Sequence, residues 1–195
     1  LLILWRGRAR VLGLAPVAAA LVIWAVAERP GVLISSSGRL IGVTGPEGRS
    51  FSRARGDGFV AGLWLENDGD FADQAAAAAR QGWRSEGAGA VTQVAGGTLW
   101  HGVGVRAATE IAEACARYTW VVTPEEIPPE LAARQGLPVS APAGAALAQD
   151  AGCTLIGPDV LRESGSVALF VQGGGLRVQT ARASQGIRPW VPQGR

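Results

Sequence analysis

Three neighbouring stretches decide the class of this fold: Thr98 to Val105 (TLWHGVGV), Ala108 to Arg117 (ATEIAEACAR) and Trp120 to Thr123 (WVVT). The first is β-prone. The second places Ile111 and Cys115 at i and i+4, one above the other on the apolar face of a helix. The third is a short apolar run with the character of a central strand. Strand candidates alternating with a helix put the chain in the α/β or α+β class.

Working outward, the same alternation recurs. Gly31 to Ser35 and Leu40 to Thr44 are β-prone runs separated by the turn Ser36-Ser37-Gly38, and Gly45-Pro46-Glu47-Gly48 supplies a second turn, so the opening reads as a hairpin or meander. Phe59 to Glu66 is expected to be a helix burying Phe59, Leu63 and Trp64. Asn67-Asp68-Gly69-Asp70 ends it, and Phe71 to Gln81 is expected to form a second helix. Ala90 to Val94 is a strand candidate joined to Thr98–Val105 through Gly96-Gly97. Beyond Thr123, five prolines (Pro124, Pro128, Pro129, Pro138, Pro142) make 124–152 a long irregular connection. Cys153 to Ile156, Val167 to Gln172 and Leu176 to Thr180 complete the strand candidates, with a short helix over Pro158 to Glu163. The tail from Ala183 is polar and rich in proline and glycine.

The N-terminal part has a different character. Val11 to Ala27 (VLGLAPVAAALVIWAVA) carries no charge and lies between Arg6, Arg8, Arg10 and the pair Glu28-Arg29. Crossing the hydrocarbon core takes about 17–25 apolar residues as a helix, so the run is at the short end for a transmembrane segment. The excess of arginine upstream places that side in the cytoplasm and the remainder in the periplasm. A basic cluster, an apolar core and Ala25-Val26-Ala27 also fit a secretory signal peptide cleaved after Ala27. Against that, Leu1-Leu2-Ile3-Leu4-Trp5 precedes the basic cluster and resembles the end of an earlier membrane helix. The sequence contains no Met, so it is expected to have been processed or cut from something longer. The domain boundaries expected are therefore 1–10 for a helix end and loop, 11–27 for the anchor, 30–182 for the α/β domain and 183–195 for the tail.

Composition sets limits on function. The chain has 195 residues, is 48% hydrophobic and has 28 glycines, and its formal charge is only +2, with a mean hydropathy of +0.19. So small a charge does not by itself indicate a nucleic-acid partner. One histidine, His101, cannot build a catalytic zinc site, which needs two or three imidazoles. It reads as a structural or surface residue, and no Gly-x-Ser-x-Gly elbow accompanies it. Gly102-x-Gly104-x-x-Ala107 followed by Glu125 resembles the dinucleotide fingerprint, but its strand is short and ends in histidine. Glu66, Asp68, Asp70 and Asp73 cluster at a helix end, where a solvated turn with an N-cap explains them without a metal. Arg53, Arg55, Arg80 and Arg84 could form a modest basic face. No catalytic, cofactor or metal residue is assigned.

Cys115 and Cys153 are the two cysteines. In an oxidising compartment they are expected to form a disulfide that pins both ends of the proline-rich connection, stabilising by about 3–4 kcal/mol in the chain-entropy model. The alternative is two buried free thiols.

Several phrases together resemble a known family. Trp5-Arg6-Gly7-Arg8 before the apolar run, Val32-Leu33-Ile34-Ser35 with Gly38-Arg39-Leu40-Ile41-Gly42-Val43, and Trp64-Leu65 with Asp68-Gly69-Asp70 occur in the order seen in alphaproteobacterial ComEC-type competence proteins. Cys115-Ala116-Arg117 with Trp120-Val121-Val122, the stretch from Cys153 through Gly165 to Leu169, and Arg188-Pro189-Trp190 extend the series over nearly the whole chain. The resemblance implies a multi-pass inner-membrane DNA-uptake (competence) channel protein and its C-terminal domain, a metallo-β-lactamase-like sandwich in many members. It also implies as partners single-stranded DNA through the parent protein, the membrane, and other DNA-uptake components. The His-x-His-x-Asp-His metal motif of active members is absent, so the sandwich would be degenerate, with strands around 32–43 and 120–123 as its remnants. The expectation is a non-catalytic periplasmic domain. The alternatives are a metal-dependent nuclease using Asp68 and Asp70, and a secreted binding module released after Ala27.

Overall fold

A computed structural model describes residues 13–95, 97–137, 153–172 and 175–186. Ten strands build two sheets. The first sheet contains β1 (Val32–Ile34), β2 (Ile41–Gly45), β3 (Gly48–Phe51), β9 (Val167–Gln172) and β10 (Gly175–Thr180), in the order β10-β9-β1-β2-β3 and antiparallel throughout. The second contains β4 (Arg84–Glu86), β5 (Gly89–Val94), β6 (Gly97–Gly102), β7 (Trp120–Val122) and β8 (Thr154–Ile156) in sequence order. Its β4, β5 and β6 are antiparallel, while β6, β7 and β8 run parallel. The helices are α1 (Leu14–Val26), α2 (Gly58–Asp68), α3 (Gln74–Ala78), α4 (Val105–Arg117), α5 (Pro158–Ser164) and α6 (Ala181–Gln185), with a 3-10 turn at Pro129–Arg134.

Side-chain alternation stacks these elements into four layers, because successive residues of a strand face opposite sides. Val32, Ile34, Ile41, Val167 and Leu169 of the first sheet meet Leu99, Trp120, Val122 and Ile156 of the second in one core. On the far side of the second sheet, Trp100, Val121 and Leu155 pack against Ala107, Ile111, Ala114 and Cys115 of α4. On the far side of the first sheet, Leu40 and Phe51 pack against Ala61 and Leu65 of α2 and Ala77 of α3. The order is helices, sheet, sheet, helix.

The sequence-based elements are recovered with shifts that have causes. Thr98–Val105 does not stay extended: Gly104, at φ 101°, ends the strand turn and α4 starts at Val105. The expected second helix shrinks to α3, whose start is fixed by Asp73 accepting a hydrogen bond from the Ala76 amide. Strands β3 and β4 carry a serine and charged residues, so no apolar run betrays them. Of the expected inward face of α2, Trp64 does pack on the core beside Phe51, but Phe59 and Leu63 do not. Phe59 is 85% exposed and Leu63 is exposed, whereas Ala61 and Leu65 are buried. Ala61, Leu65 and Asp68 form the i, i+4, i+7 stripe that faces β3, where buried Arg49 meets Asp68 (Nε to Oδ2 2.6 Å). An ion pair with a buried guanidinium fixes the rotation of the helix.

The expected disulfide is present between Cys115 and Cys153, with the Cα atoms 5.0 Å apart, and ties α4 to the residue before β8. No cysteine among the described residues is left outside this pair. Of the apolar segment 11–27, residues 14–26 form α1, a 13-residue helix with no buried residue. Among the described residues no helix is long and apolar enough to cross a membrane. Residues 1–10, 138–152 and 187–195 of the expected divisions lie outside the described residues.

Candidate nucleic-acid interface

The two sheets have distinguishable ends. At one end α1 enters β1. At the other, here called distal, the Ser35–Leu40 turn, the loop 52–57 and the turn leading into α4 converge. Three contacts hold the distal loops together. The Ser37 hydroxyl donates to Asp57, the Gly104 amide donates to Glu125 Oε1 at 2.8 Å, and His101 Nε2 lies 2.9 Å from the Gly38 carbonyl oxygen.

His101 belongs to the inner face of β6, and its bond to Gly38 crosses from the second sheet to the first. A carbonyl only accepts, so Nε2 carries the proton. The ring is 2% exposed and lies edge-on to Trp83, with centroids 6.5 Å apart. Burial depresses its pKa to about 4, partly opposed by the Gly38 bond and reinforced by the positive charge of Arg53. The imidazole is a neutral inter-sheet strut.

The glycine pattern before α4 has a structural explanation. The Trp100 indole lies over Gly102, where a Cβ would come within 2.0 Å of the ring. Glu125, some twenty residues on, does not await a ribose; its carboxylate occupies the Gly104 amide, where an anion would approach the helix N-terminus. Three of the four residues of the acidic cluster are likewise engaged, Glu66 being exposed. Asp68 pairs with Arg49. Asp70 pairs with Arg80 at 2.5 Å and accepts from the Ala72 amide, and the Arg80 bond holds its carboxyl below the usual aspartate value. Asp73 caps α3. Among the described residues no three or more His, Cys, Asp or Glu side chains gather as a metal cage.

The expected basic face of Arg53, Arg55, Arg80 and Arg84 does not hold together. Arg80 pairs with Asp70, and Arg84 with Glu86 at 3.0 Å. Arg53 and Arg55 stay at the distal end, joined there by Arg39 from the Ser35–Leu40 turn and Arg106 from the first turn of α4. Among the described residues these four arginines have no carboxylate partner, unlike Arg49, Arg80, Arg84, Arg117, Arg162 and Arg177. Arg39, Arg55 and Arg106 are exposed and Arg53 is half-buried. Beside them Phe59 and Val105 present 85% and 83% of their surface to solvent. The distal carboxylates Asp57 and Glu125 are occupied by hydroxyl and amide donors, while Glu126 is exposed. Sequence reasoning missed Arg39 and Arg106, which only the fold brings to the same end of the sheets as Arg53.

A cleft of about 490 Å³ opens elsewhere between the sheets, lined by Val43, Pro46, Trp83, Arg84 and Thr92 among others. Arg84 is its one charged lining residue, so it gathers no set of titratable groups. Comparison with known proteins finds no matching family model, curated protein or solved structure.

Proposed function

We propose that this chain is the non-catalytic periplasmic domain of an inner-membrane DNA-uptake channel protein, guiding single-stranded DNA with its distal face. The observation that carries the reading is the grouping of Arg39, Arg53, Arg55 and Arg106, free of carboxylate partners, beside solvent-facing Phe59. Single-strand binders combine positive charge along the backbone with aromatic stacking platforms. Four arginines partly offset by local carboxylates make a weak, salt-sensitive guide. The helix–sheet–sheet–helix layering is compatible with a degenerate metallo-β-lactamase-like sandwich, and the disulfide with an oxidising compartment. The anchor would be segment 11–27, whose described part, α1, exposes Leu21, Val22, Ile23 and Trp24 by 60–68%. A helix apolar all round calls for an apolar environment.

The nuclease alternative loses its chemistry to the ion pairs that hold Asp68 and Asp70.

The test is binding of a labelled single-stranded oligonucleotide by the full chain across a salt series, with strand integrity read in the same samples. Four phosphate contacts give a log K against log salt slope of about −3, and each Arg→Gln change reduces it by roughly 0.7. Phe59→Ala should weaken binding by about 1–3 kcal/mol at all salt concentrations. Absence of binding at low salt, or unchanged binding by the fourfold arginine variant, overturns the reading.

A further inference from the structure

We infer that the end of the sandwich opposite the arginines is a lipid-contacting rim, seated on the membrane surface through Phe71 and Val171. This rests on the proposed anchoring by segment 11–27 and concerns a different surface. The link between α1 and β1 is short: Ala27 to Gly31 spans roughly 17 Å even when fully extended. It is also held down. Glu28 pairs with Arg177 of β10 at 3.4 Å. Thr44 of β2 bonds the Pro30 carbonyl through its hydroxyl at 3.2 Å and the Gly31 carbonyl through its amide at 2.9 Å. A domain so tethered cannot lift far from whatever surrounds α1.

The rim then presents apolar groups to that surface. Val171 is half-exposed and lies beside Gly31, where an added Cβ would be 3.5 Å from its methyl. Phe71 follows Asp70, whose carboxylate reaches Gly48 in the β2–β3 turn, so it belongs to the same end. It is fully solvent-facing, at 103% of its reference area, with no contact in the fold to explain a large aromatic there. Val171 on β9 and Phe71 after α2 thus mark two separate points of this end, β9 and β3 themselves being three strand spacings apart, roughly 15 Å.

Charge at this end is partly offset: Glu47 of the β2–β3 turn is exposed near Arg80, and two further carboxylates are paired. Asp70 is neutralised by Arg80 and Glu28 by Arg177. Arg29 lies over the Trp24 ring at 5.7 Å. A tryptophan at the end of an apolar helix with an arginine stacked on it is the pairing found at the headgroup level, where an amphipathic ring and a snorkelling cation are both accommodated.

The experiment uses the full chain in phosphatidylcholine vesicles, with single cysteines carrying an environment-sensitive fluorophore. The native cysteines are bridged and do not react. Phe71→Cys reports the rim, Ala18→Cys the helix and Ser36→Cys the distal end. The expected result is blue-shifted emission at 71, quenched by a headgroup-attached quencher. The label at 18 should be quenched by an acyl-chain quencher, and the label at 36 should remain water-like. A water-like label at 71 with a lipid-quenched label at 18 overturns the rim and leaves the anchor standing. A water-like label at 18 overturns both. Phe71→Ser with Val171→Ser, in an otherwise unlabelled chain, should abolish shielding of the rim from a soluble protease; retained shielding also overturns the rim.

Discussion

Acidification tests the inter-sheet strut directly. His101 is buried and neutral, with its pKa depressed from 6.5 to about 4. In the unfolded chain the same imidazole takes up a proton near pH 6.5, so as pH falls below that value the unfolded state binds more protons than the native one. Stability is full above pH 6.5, falls with falling pH and levels off once the native ring also protonates near pH 4. At pH 5 the unfolded ring is almost wholly charged and the native ring roughly one-tenth charged, which amounts to about 2 kcal/mol lost between pH 7.5 and 5. Asp70 and Glu86 do not obscure this window. Both are held below their ordinary values of 3.8 and 4.5, by the Arg80 bond and the Tyr118 bond respectively, so their contributions are lost chiefly below pH 4.5. The assay is urea unfolding at half-unit pH steps, with His101→Gln as the control. Its side-chain amide can still donate to Gly38 but does not titrate. The slope between pH 7.5 and 5 should vanish in the variant, and a flat wild-type profile or an equal slope in both would refute the argument.

Further predictions concern the covalent and ionic ties. The Cys115–Cys153 bridge closes a span of 38 residues, which the chain-entropy relation converts to about 4 kcal/mol; the Cys115→Ala/Cys153→Ala pair should lower the urea midpoint accordingly, and a loss below about 1 kcal/mol would contradict it. Asp68→Ala leaves the buried Arg49 charge unpaired and should cost about 3–5 kcal/mol, with Arg49→Met in the same chain recovering most of it. Failure of that rescue in thermal melts would show that the pair is not the cause. Gly102→Ala drives a methyl into the Trp100 ring, 2.0 Å away, and should cost about 1–3 kcal/mol in the same melts.

Much of the fold was legible because it depends on local patterning. Short continuous apolar runs at 32–34, 120–122 and 167–171 marked strands, and the Ile111–Cys115 pair marked the buried face of α4. What escaped depends on tertiary partners. Strand β3 reads as polar because Arg49 is buried only when Asp68 comes to it across nineteen residues. That same partnership turns α2 so that Ala61 and Leu65 face inward and Phe59 faces out, against the preference of a hydrophobic-face reading. Small Ala61 lets the helix approach the sheet beside Leu65 and half-buried Trp64, and Phe59 and Leu63 are left outside.

The candidate site was less legible for the same reason. Charge counting treats arginines as equivalent, and +2 overall looks uninformative. In the fold, Arg49, Arg80, Arg84, Arg117, Arg162 and Arg177 are consumed by nearby carboxylates, and what matters is which arginines are left over at one end. The Gly38 carbonyl next to Arg39 is bonded to His101, a contact between residues sixty-three positions apart on different sheets. The strut and the basic face are therefore coupled. Protonating His101 would bury a charge beside Arg53, a cost to the native packing that the Gly38 bond, which favours the charged ring, only partly offsets. Single-stranded DNA binding should then decline as pH falls through the range in which the strut is destabilised, even though arginine charge is unchanged and added positive charge alone would strengthen it. Binding that rises steadily with acidification down to pH 4 would separate the two and show that the arginines are arranged without help from His101.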